Sequence, residues 1–438
     1  MTAYAQRRAA FTEKIGDAVA VIPAAIHHLR NNDTEYEYRQ NSTFYYLTGF
    51  NEPEAVLVLA PNHKEHTTVL FVRPRDRTKE IWTGRRAGIE GAVATYGAEI
   101  AYPIEELEKR LAGYFLGVPH LYYGVGADER FDRIVFEAMK EARYHARRGG
   151  TTPDDIVDPG AIINEMRLFK EAAEVELMRR AGQISRFGHV AGMRATAPGA
   201  WEYEIEAALE YSYKKQGAQA TAYSSIVARG DNATILHYNT NRDQLRDGDL
   251  LLVDSAAEFD MYAADITRTW PVNGRFSPEQ RAIYEIVLAA QKAGIEEVRP
   301  GRTVRTYHDK SVEVITDGLI ELKLIKASRA EAIEKNLFFE FYPHNTGHYI
   351  GLDVHDVGHY KRRDGSWRDM QPGMVVTVEP GIYVQRDLNV DERFKGIGVR
   401  IEDDVLCTTG APDILTAGTP KEIAEVESLV GADVLARA

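Results

Sequence analysis

The sequence predicts an α+β protein of two domains: a smaller α/β domain over residues 1–165 and a larger one over 166–438, in which helices cover one side of a mainly antiparallel sheet. Three observations support this prediction. The 438 residues exceed the usual size of one hydrophobic core. Short apolar runs alternate with amphipathic segments in the first part, whereas long helical segments separated by hairpin-like ones follow. The apolar and charged contents, 44% and 27%, are ordinary for a globular protein.

The first domain is predicted from short apolar runs. Four of them indicate strands: AVAVIPAAI (18–26), EAVLVLA (54–60), TTVLFV (67–72) and HLYYGVG (120–126). Two segments indicate helices, GIEGAVATYG (88–97) and ERFDRIVFEAMKEAR (129–143). Residues 147–160, RRGGTTPDDIVDPG, gather Gly, Pro, Asp and Thr without periodicity, so we interpret them as a linker or an exposed connection.

The second domain is predicted to contain three long helices. The first lies in KEAAEVELMRRAGQISRFGHVAG (170–192), where Leu177, Ala181 and Ile184 are spaced four and three residues apart and form one buried stripe. Ser277 and Gln280 have the spacing of a capping box and begin the second helix. The third is expected over residues 304–324. The strands between these helices carry most of the polar residues that indicate a function.

Charge and cysteine content exclude several classes of protein. The net charge of −13 disfavours a nucleic-acid partner, which would require clustered positive charge. The apolar stretch AVAVIPAAI is too short to span a bilayer and too interrupted for a signal peptide, so no membrane association is expected. Cys407 is the single cysteine, and it therefore cannot form an internal disulfide. A cytoplasmic location is the resulting expectation.

Two aspartates lie in one predicted hairpin, LLLVDSAAEFDMYAADITRTW (250–270, beginning at Leu250). Side chains alternate along a strand, so Leu252 and Asp254 share one face, and Asp265 and Thr267 share one face of the returning strand. A lone aspartate at such a position is ordinarily a cap or a turn former. Two in one hairpin, with further carboxylates elsewhere, favour a cleft lined by acidic groups.

Two glutamates interrupt apolar strands further along the chain. Glu379 ends MVVTVEP and Glu402 lies in GVRIEDD, and each faces the same side as alternate residues of its strand. A lone strand glutamate beside a proline is ordinarily solvated at an edge. Val378 and Ile401 show, however, that the opposite face is apolar. Because buried carboxylates are costly unless they are paired with cations, these four acidic groups together predict a divalent metal site.

Three histidines fall close together in PHNTGHYIGLDVHDVG (343–358), at His344, His348 and His355. One histidine is more often a surface or core residue than a ligand, but neighbouring glycines allow close approach of the backbone to a site. His237, in ILHYNTN, is a further candidate. Four carboxylates and one imidazole suit two ions such as Mn²⁺, Co²⁺ or Zn²⁺, which can activate a shared water for hydrolysis.

These residues resemble the metallopeptidases with the pita-bread fold and, within that family, the aminopeptidase P group. RQNSTFYYLTGFNEPEAVLVL (39–59) and IWTGRRAG (81–88) look like the family's N-terminal domain, and AYSSIVARGDNATILHY (222–238) leads into the catalytic domain. The resemblance implies a curved, mainly antiparallel sheet with helices on its outer face in the catalytic domain. It also implies that the N-terminal domain governs substrate length and makes contacts within a homodimer or homotetramer.

The resemblance also implies a role for individual residues. It makes five residues metal ligands, with the second and the last bridging the two ions: Asp254, Asp265, His348, Glu379 and Glu402. It makes four residues catalytic: Glu379, His237, His344 and His355. It places Tyr383 and Arg400 in or behind the substrate pocket.

The implied reaction is hydrolysis of the bond between an N-terminal residue and a following proline, by a hydroxide that bridges two divalent ions. Mn²⁺ is the expected metal, with Zn²⁺ or Co²⁺ as alternatives, and peptides with proline in the second position are the expected partners. One alternative is a prolidase, which would cleave only Xaa-Pro dipeptides with the same site. Another is a peptidase-like module that binds peptides without metals, but this predicts replaced ligand positions, and all five are intact.

Overall fold

The computed structural model describes residues 2–435, and the chain forms two compact units, Met1–Met166 and Arg167–Ala438. The first unit contains these helices: α1 (Ala3–Ile15), α2 (Ser42–Thr48), α3 (Arg77–Thr83), α4 (Gly88–Ala94), α5 (Leu107–Tyr114) and α6 (Glu129–Ala146). Its strands are β1 (Val19–Pro23), β2 (Leu29–Asn31), β3 (Thr34–Glu35), β4 (Val56–Leu59), β5 (Thr68–Val72), β6 (Ile100–Pro103), β7 (His120–Tyr122) and β8 (Asp155–Val157). Helix α7 (Gly160–Leu168) contains the boundary.

A six-stranded mixed sheet in the order β6-β5-β4-β1-β7-β8 forms the centre of the first unit. The pairs β1–β4 and β4–β5 are antiparallel, and the other neighbours are parallel. The predicted strands and helices of this part are present. The interpretation of 147–160 as a linker is wrong for β8, because Asp155–Val157 pairs with His120–Tyr122 at the sheet edge. A three-residue edge strand leaves little periodicity to read in a sequence.

The second unit contains long helices joined to short strands. The helices are α8 (Ala172–Ala195), α9 (Glu202–Lys215), α10 (Pro278–Glu296), α11 (Thr306–Glu321), α12 (Arg329–Glu334), α13 (Ile423–Leu429) and α14 (Ala432–Leu435). The predicted capping box of α10 is present: the Ser277 hydroxyl accepts from the Gln280 backbone N–H, and the Gln280 side chain accepts from the Ser277 N–H. Helix α11 begins two residues later and ends three residues earlier than predicted.

The strands of the second unit form several small antiparallel sheets. They are β9 (Ala220–Thr221), β10 (Ile226–Arg229), β11 (Leu250–Asp254), β12 (Ala257–Phe259), β13 (Tyr262–Ala263), β14 (Thr267–Pro271), β15 (Val375–Val378), β16 (Gly381–Tyr383), β17 (Gly398–Arg400), β18 (Asp403–Leu406) and β19 (Asp413–Ile414). The sheet orders are β10-β11-β14, β13-β12-β9, β15-β18-β19 and β16-β17. The mixed α/β first unit and the antiparallel second unit confirm the predicted fold class.

The predicted hairpin is present and has two parts. Strands β11 and β14 pair with Asp254 opposite Thr267, and β12 pairs with β13 beyond them. The turn between β12 and β13 contains Asp260 and Met261, with φ of 47° and 71°, as a tight two-residue hairpin connection requires. The hairpin thus brings the end of β11 beside the start of β14.

The helices α10 and α11 cover one face of the strands that carry the two glutamates. Ile283, Val287 and Ile315 of these helices are fully buried in a core that also contains Val399 and Ile401. The apolar face predicted for the glutamate strands therefore lies against the helices, and the other face is left for the acidic groups. No helix among residues 2–435 is both long and apolar enough to cross a membrane.

Candidate active site

Most of the predicted functional residues line a cavity of about 630 Å³ in the second unit. Nine of them line it: His237, Asp254, Asp265, His344, His348, His355, Glu379, Arg400 and Glu402. Tyr383 does not line it. These side chains come from the segment between β10 and β11, from β11, from the segment before β14, from the 343–358 loop, and from the ends of β15 and β17 or just beyond them. They lie up to 165 positions apart in the sequence (402 minus 237).

The two aspartates are held at the mouth of the β11–β14 hairpin. Asp254 is the last residue of β11, and Asp265 lies two residues before β14. The Asp265 backbone N–H donates to Asp404 Oδ2 at 3.1 Å, and the adjacent Ile266 N–H lies 3.4 Å from the Tyr223 hydroxyl. Asp265 is therefore fixed by its backbone, and its side chain lies toward His348, with Oδ2 3.5 Å from His348 Nε2.

His348 is held by the strand that leads to Glu379. The Thr377 hydroxyl accepts from the His348 N–H at 3.0 Å, and the Thr377 N–H donates to the His348 carbonyl at 2.9 Å. The preceding Gly347 passes so close that a Cβ atom on it would lie 1.9 Å from the Thr377 carbonyl oxygen. The glycine predicted to allow close approach does so here, since any side chain would push the loop away from β15.

Three donors converge closely enough to bind one cation. Ligand atoms of Asp265, His348 and Glu402 all lie within 4.8 Å of one another. His348 Nε2 is 3.5 Å from Asp265 Oδ2 and 3.6 Å from Glu379 Oε1. His348 Nδ1 is 3.0 Å from the Tyr349 carbonyl oxygen, so it carries a proton when the ring is neutral and leaves the Nε2 lone pair for a metal. Asp254 Oδ1 is buried and has no hydrogen-bond donor among residues 2–435.

The electrostatics of the cavity also fit a cation. Burial, followed by the neighbouring Asp265, Glu379 and Asp254, raises the pKa of Glu402 well above its ordinary value. Burial raises the pKa of Glu379 to about 7, although His348 and Arg400 oppose this rise. Burial disfavours the charged form of His348, but the hydrogen bond to Asp265 and the charge of Glu379 raise its pKa to about 9. A divalent cation would relieve this repulsion and ionise the carboxylates, so the residues present fit the metal centre that the family implies.

A chain of hydrogen bonds runs behind the cavity from Arg400 to His344. Arg400 donates to the Tyr383 hydroxyl at 2.9 Å and to Asp254 Oδ2 at 2.7 Å. The Tyr383 hydroxyl lies 2.8 Å from His344 Nε2, and His344 Nδ1 lies 2.8 Å from the Asn345 carbonyl. His344 therefore donates from Nδ1 and accepts at Nε2, and burial together with Arg400 lowers its pKa to about 3. Tyr383 is 2% exposed, so it orients His344 and does not face the cavity itself.

The other two histidines lie at the open side of the cavity. Both His237 and His355 are exposed, and the ring of His355 lies edge-on to that of His348, with centroids 4.4 Å apart. Burial of part of the ring and the charge of His348 lower the pKa of His355. These two side chains are therefore accessible to a molecule that enters the cavity.

Several residues around the acidic cluster were missed in the sequence analysis. The Thr267 hydroxyl donates to Glu402 Oε2 at 2.6 Å, and Tyr223 lines the cavity beside Asp254 and Asp265. Asp404 is fully buried next to the metal candidates. Three successive acidic residues in IEDD were a signal for Asp404. The position of Tyr223 in the sequence did not indicate that it lines the cavity.

Asp403, the residue after Glu402, anchors the start of β18. Its carboxylate accepts from Arg268 at 2.8 Å and from Lys421 at 2.6 Å, and all three side chains are buried or nearly so. Burial opposes ionisation of Asp403, but Arg268 and Lys421 lower its pKa to about 2. Adjacent acidic residues thus have opposite electrostatic environments: Asp403 is paired with cations, whereas Glu402 is surrounded by other carboxylates.

His189 supports the other side of the cluster, and its titration gives a testable result. The ring is fully buried and donates from Nε2 to the carbonyl of Ser255, the residue after Asp254, at 2.8 Å. Burial and then Arg268 lower its pKa to about 3 from 6.5. Because the unfolded chain binds this proton more readily, stability should be fully retained above pH 6.5. Below that it should fall by up to about 1.4 kcal/mol per pH unit from this group alone.

His189→Gln keeps an N–H donor but removes the titration. We therefore expect its urea midpoint to fall less between pH 6.5 and pH 4 than that of the unmodified protein. His28→Gln, at an exposed position, is the matched control and should keep the original slope. Equal slopes for all three proteins would refute this role of His189.

The cavity, its acidic donor set and the fold together define a metal-dependent hydrolase, and comparison with known proteins agrees. Residues 176–409 match the sequence model of metallopeptidase family M24, and residues 4–122 match that of the aminopeptidase P N-terminal domain. The chain therefore belongs to metallopeptidase family M24, in its aminopeptidase P group, and binds divalent metal.

Curated relatives and solved structures cover nearly the whole chain. A Xaa-Pro aminopeptidase of Haemophilus influenzae is 42% identical over 97% of this chain and 96% of the relative. An aminopeptidase structure from Pseudomonas aeruginosa is 46% identical, with a TM-score of 0.96 over 99% of this chain and 98% of that one. The zinc-substituted aminopeptidase P of Escherichia coli in complex with product is 41% identical, with a TM-score of 0.95 over 100% and 98% of the two chains.

Proposed function

We propose that the chain removes the N-terminal residue from peptides that have proline in the second position, with two divalent metal ions held by Asp254, Asp265, His348, Glu379 and Glu402. The observation that supports this most directly is the convergence of Asp265, His348 and Glu402 donors within 4.8 Å in a cavity of about 630 Å³. The relatives at 41–42% identity that are named as Xaa-Pro aminopeptidases support the substrate class.

Individual residues of the chain would each have a role in the hydrolysis. Bound divalent ions would supply an activated water and polarise the scissile carbonyl. Glu379 takes a proton from the attacking water and delivers it to the proline nitrogen as the C–N bond breaks. The exposed His355 or His237 donates an N–H to the oxygen on which negative charge develops. His344, oriented by Tyr383, lines the cavity beside the substrate as an uncharged imidazole.

The preference for proline follows from the chemistry of that residue. Its amide has no N–H and its φ is fixed, so a peptidase that holds substrates by extended backbone hydrogen bonds handles this bond poorly. The cavity offers histidine and tyrosine side chains as its wall, and β11, the strand that carries Asp254, has no free edge because it is paired on both sides by β10 and β14. Specificity for the free amino terminus would come from the acidic centre, which attracts an ammonium group.

A comparison of two substrates tests the proposed activity. We expect the protein to cleave both Ala-Pro-Ala-Ala and Ala-Pro, and to leave Ala-Ala-Ala-Ala essentially intact. Product analysis by mass spectrometry measures this. Activity confined to Ala-Pro would support the prolidase alternative, and cleavage of the peptide without proline at a similar rate would contradict the proposed specificity.

Removal of the metals should abolish activity and lower stability. Without cations, four carboxylates in one cavity repel one another, so we expect a chelated preparation to be inactive and to melt at a lower temperature. Addition of Mn²⁺, Co²⁺ and Zn²⁺ separately should restore both properties, and we propose Mn²⁺ as the native ion. A chelated protein with full activity and an unchanged melting temperature would contradict the metal site.

We further propose a homo-oligomer, dimer or tetramer, in the cytoplasm. Ile81 and Trp82 of α3 are 75% and 84% exposed, which is unusual for large apolar side chains of a chain that functions alone. Light scattering of the purified protein tests the oligomeric state.

A further inference from the structure

A second cavity of about 470 Å³ lies beside the active-site cavity in the same unit. The two share four lining residues, Asn345, Gly347, His348 and Tyr360. The wall between them is therefore the short loop that carries the proposed ligand His348. We call this second space the side cavity, and the mechanism described above makes no use of it.

The side cavity is positively charged, in contrast to the active-site cavity. Of its twelve lining residues Arg305 and Lys361 are cationic, three are histidines and none is Asp or Glu, although the whole chain carries a net charge of −13. Arg305 is already paired with Asp309, at 2.7 Å. The Lys361 ammonium lies 4.6 Å from the ring centroid of Trp367 and has no carboxylate partner in residues 2–435. Lys361 is thus the main uncompensated charge of the side cavity. At physiological ionic strength, exposed charges more than about 8 Å away are largely screened, so Lys361 dominates the electrostatic potential in the side cavity.

His308 adds a buried hydrogen-bond donor to the side cavity. The residue is 8% exposed, and the Thr346 backbone N–H donates to its Nδ1 at 3.1 Å. Burial and then Arg305 lower its pKa to about 4, so the ring is neutral near pH 7. A neutral ring that accepts at Nδ1 carries its proton on Nε2, and this N–H has no partner in the described part of the chain. The side cavity therefore offers an ammonium and an N–H donor, without a neighbouring acceptor of opposite charge.

We propose that the side cavity binds a carboxylate of the peptide substrate, downstream of the proline, and so favours substrates that carry negative charge there. A carboxylate satisfies both the Lys361 ammonium and the His308 N–H, which a neutral side chain would not. The peptide is the natural source of this group because the side cavity adjoins the active-site cavity and shares four lining residues with it. The carboxylate can belong to a free C-terminus or to an acidic side chain. This inference rests on the proposed function.

The test compares peptides that differ only in charge. The neutral reference is Ala-Pro-Ala-Ala amide; the others are its free acid and two amides with aspartate in the third or the fourth position. The Mn²⁺-loaded protein should have kcat/KM values for at least one charged peptide that are roughly three- to tenfold above the reference. Lys361→Glu should abolish or reverse this preference, measured as the ratio of kcat/KM for each charged peptide to kcat/KM for the reference peptide in the same variant. Lys326→Ala, at an exposed lysine that lines neither cavity, is the matched control and should change nothing.

The pattern of preference identifies the source of the carboxylate. A gain confined to the free acid assigns it to the C-terminus, and a gain with an aspartate amide assigns it to a side chain. Equal kcat/KM values for charged and neutral peptides, or a preference that Lys361→Glu leaves unchanged, would overturn the proposal.

A binding measurement separates this proposal from the proposed function. Calorimetry with the product-like tripeptide Pro-Ala-Ala, as acid and as amide, requires no turnover. If no peptide is cleaved, the proposed function fails, while tighter binding of an acidic peptide that Lys361→Glu removes would still support the side cavity. Binding that does not depend on charge would overturn it even in an active enzyme.

Discussion

Replacement of Glu379 by alanine is expected to lower kcat by roughly 10³-fold, because the proton carrier between water and the leaving nitrogen is lost. The fold should be retained. The backbone N–H of Glu379 donates to the Thr346 carbonyl at 2.8 Å, and this bond does not depend on the side chain. Steady-state kinetics with Ala-Pro-Ala-Ala measures the effect, and the melting temperature reports the fold.

Glu334→Ala is the matched control, because Glu334 is an exposed carboxylate on α12 that lines no part of the cavity. Metal analysis of the Glu379→Ala protein separates its two proposed roles. Loss of activity with two ions still bound assigns the defect to proton transfer, and loss of one ion assigns it to metal binding. A kcat near that of the unmodified enzyme would remove Glu379 from the mechanism.

Asp356→Ala is expected to cost about 3–5 kcal/mol of folding stability, because it leaves the buried Lys170 without its partner and leaves Arg167 paired only with the partly exposed Asp353, at 2.7 Å. The Asp356 carboxylate accepts from Arg167 at 2.5 Å and from Lys170 at 3.0 Å, and the three side chains are each at most 3% exposed. The site is tightly packed: a Cβ atom on Gly351 would lie 2.3 Å from Asp356 Oδ2. Asp356 directly follows His355, so kcat/KM should fall as well.

Asp317→Ala provides the matched control for this loss of stability. Asp317 pairs with Arg329 at 3.2 Å, but both side chains are about half exposed. Loss of such a surface pair should change stability by less than about 1 kcal/mol. Urea unfolding of both variants measures the difference. Similar small losses would show that the Arg167–Asp356–Lys170 cluster does not stabilise the loop.

The sequence predicted the elements whose signal is local. The capping box of α10, the apolar strand runs of the first unit and the hairpin with Asp254 and Asp265 depend on residues within about 20 positions of one another. The alternation of apolar and polar residues also identified the side of the sheet toward which Glu379 and Glu402 point, because the neighbouring Val378 and Ile401 had to be buried on the opposite side. It did not reveal that the strand stops at Arg400 and resumes at Asp403, so that Glu402 lies at a break between β17 and β18.

The site was predictable as a set of residue types, whereas its hydrogen bonds were not. Glycine-rich spacing marked the loop around His348, and resemblance to a family assigned a role to each residue; these assignments stay predictions. The link from Arg400 through Tyr383 to His344 joins groups up to 56 positions apart in the sequence, 400 minus 344, and leaves no periodic trace. Lys170 and Asp356 pair across 186 positions for the same reason.

The division of work between the two units also stays a prediction. The role of the first domain in substrate length came only from resemblance to the family. Within the second unit, by contrast, the direction of the carboxylates follows from the pairing and burial of their strands. Burial of the helix-facing strand residues leaves the carboxylates one direction in which to point, and that direction is the cavity.

Anomalous diffraction from crystals soaked in Mn²⁺ tests the central claim most directly. We expect two peaks about 3.5–4 Å apart in the active-site cavity, with Asp265 and Glu402 contacting both ions. Asp254, His348 and Glu379 should each contact one ion. Peaks elsewhere in the molecule, or none in this cavity at saturating Mn²⁺, would contradict the dinuclear site and the hydrolytic mechanism that depends on it.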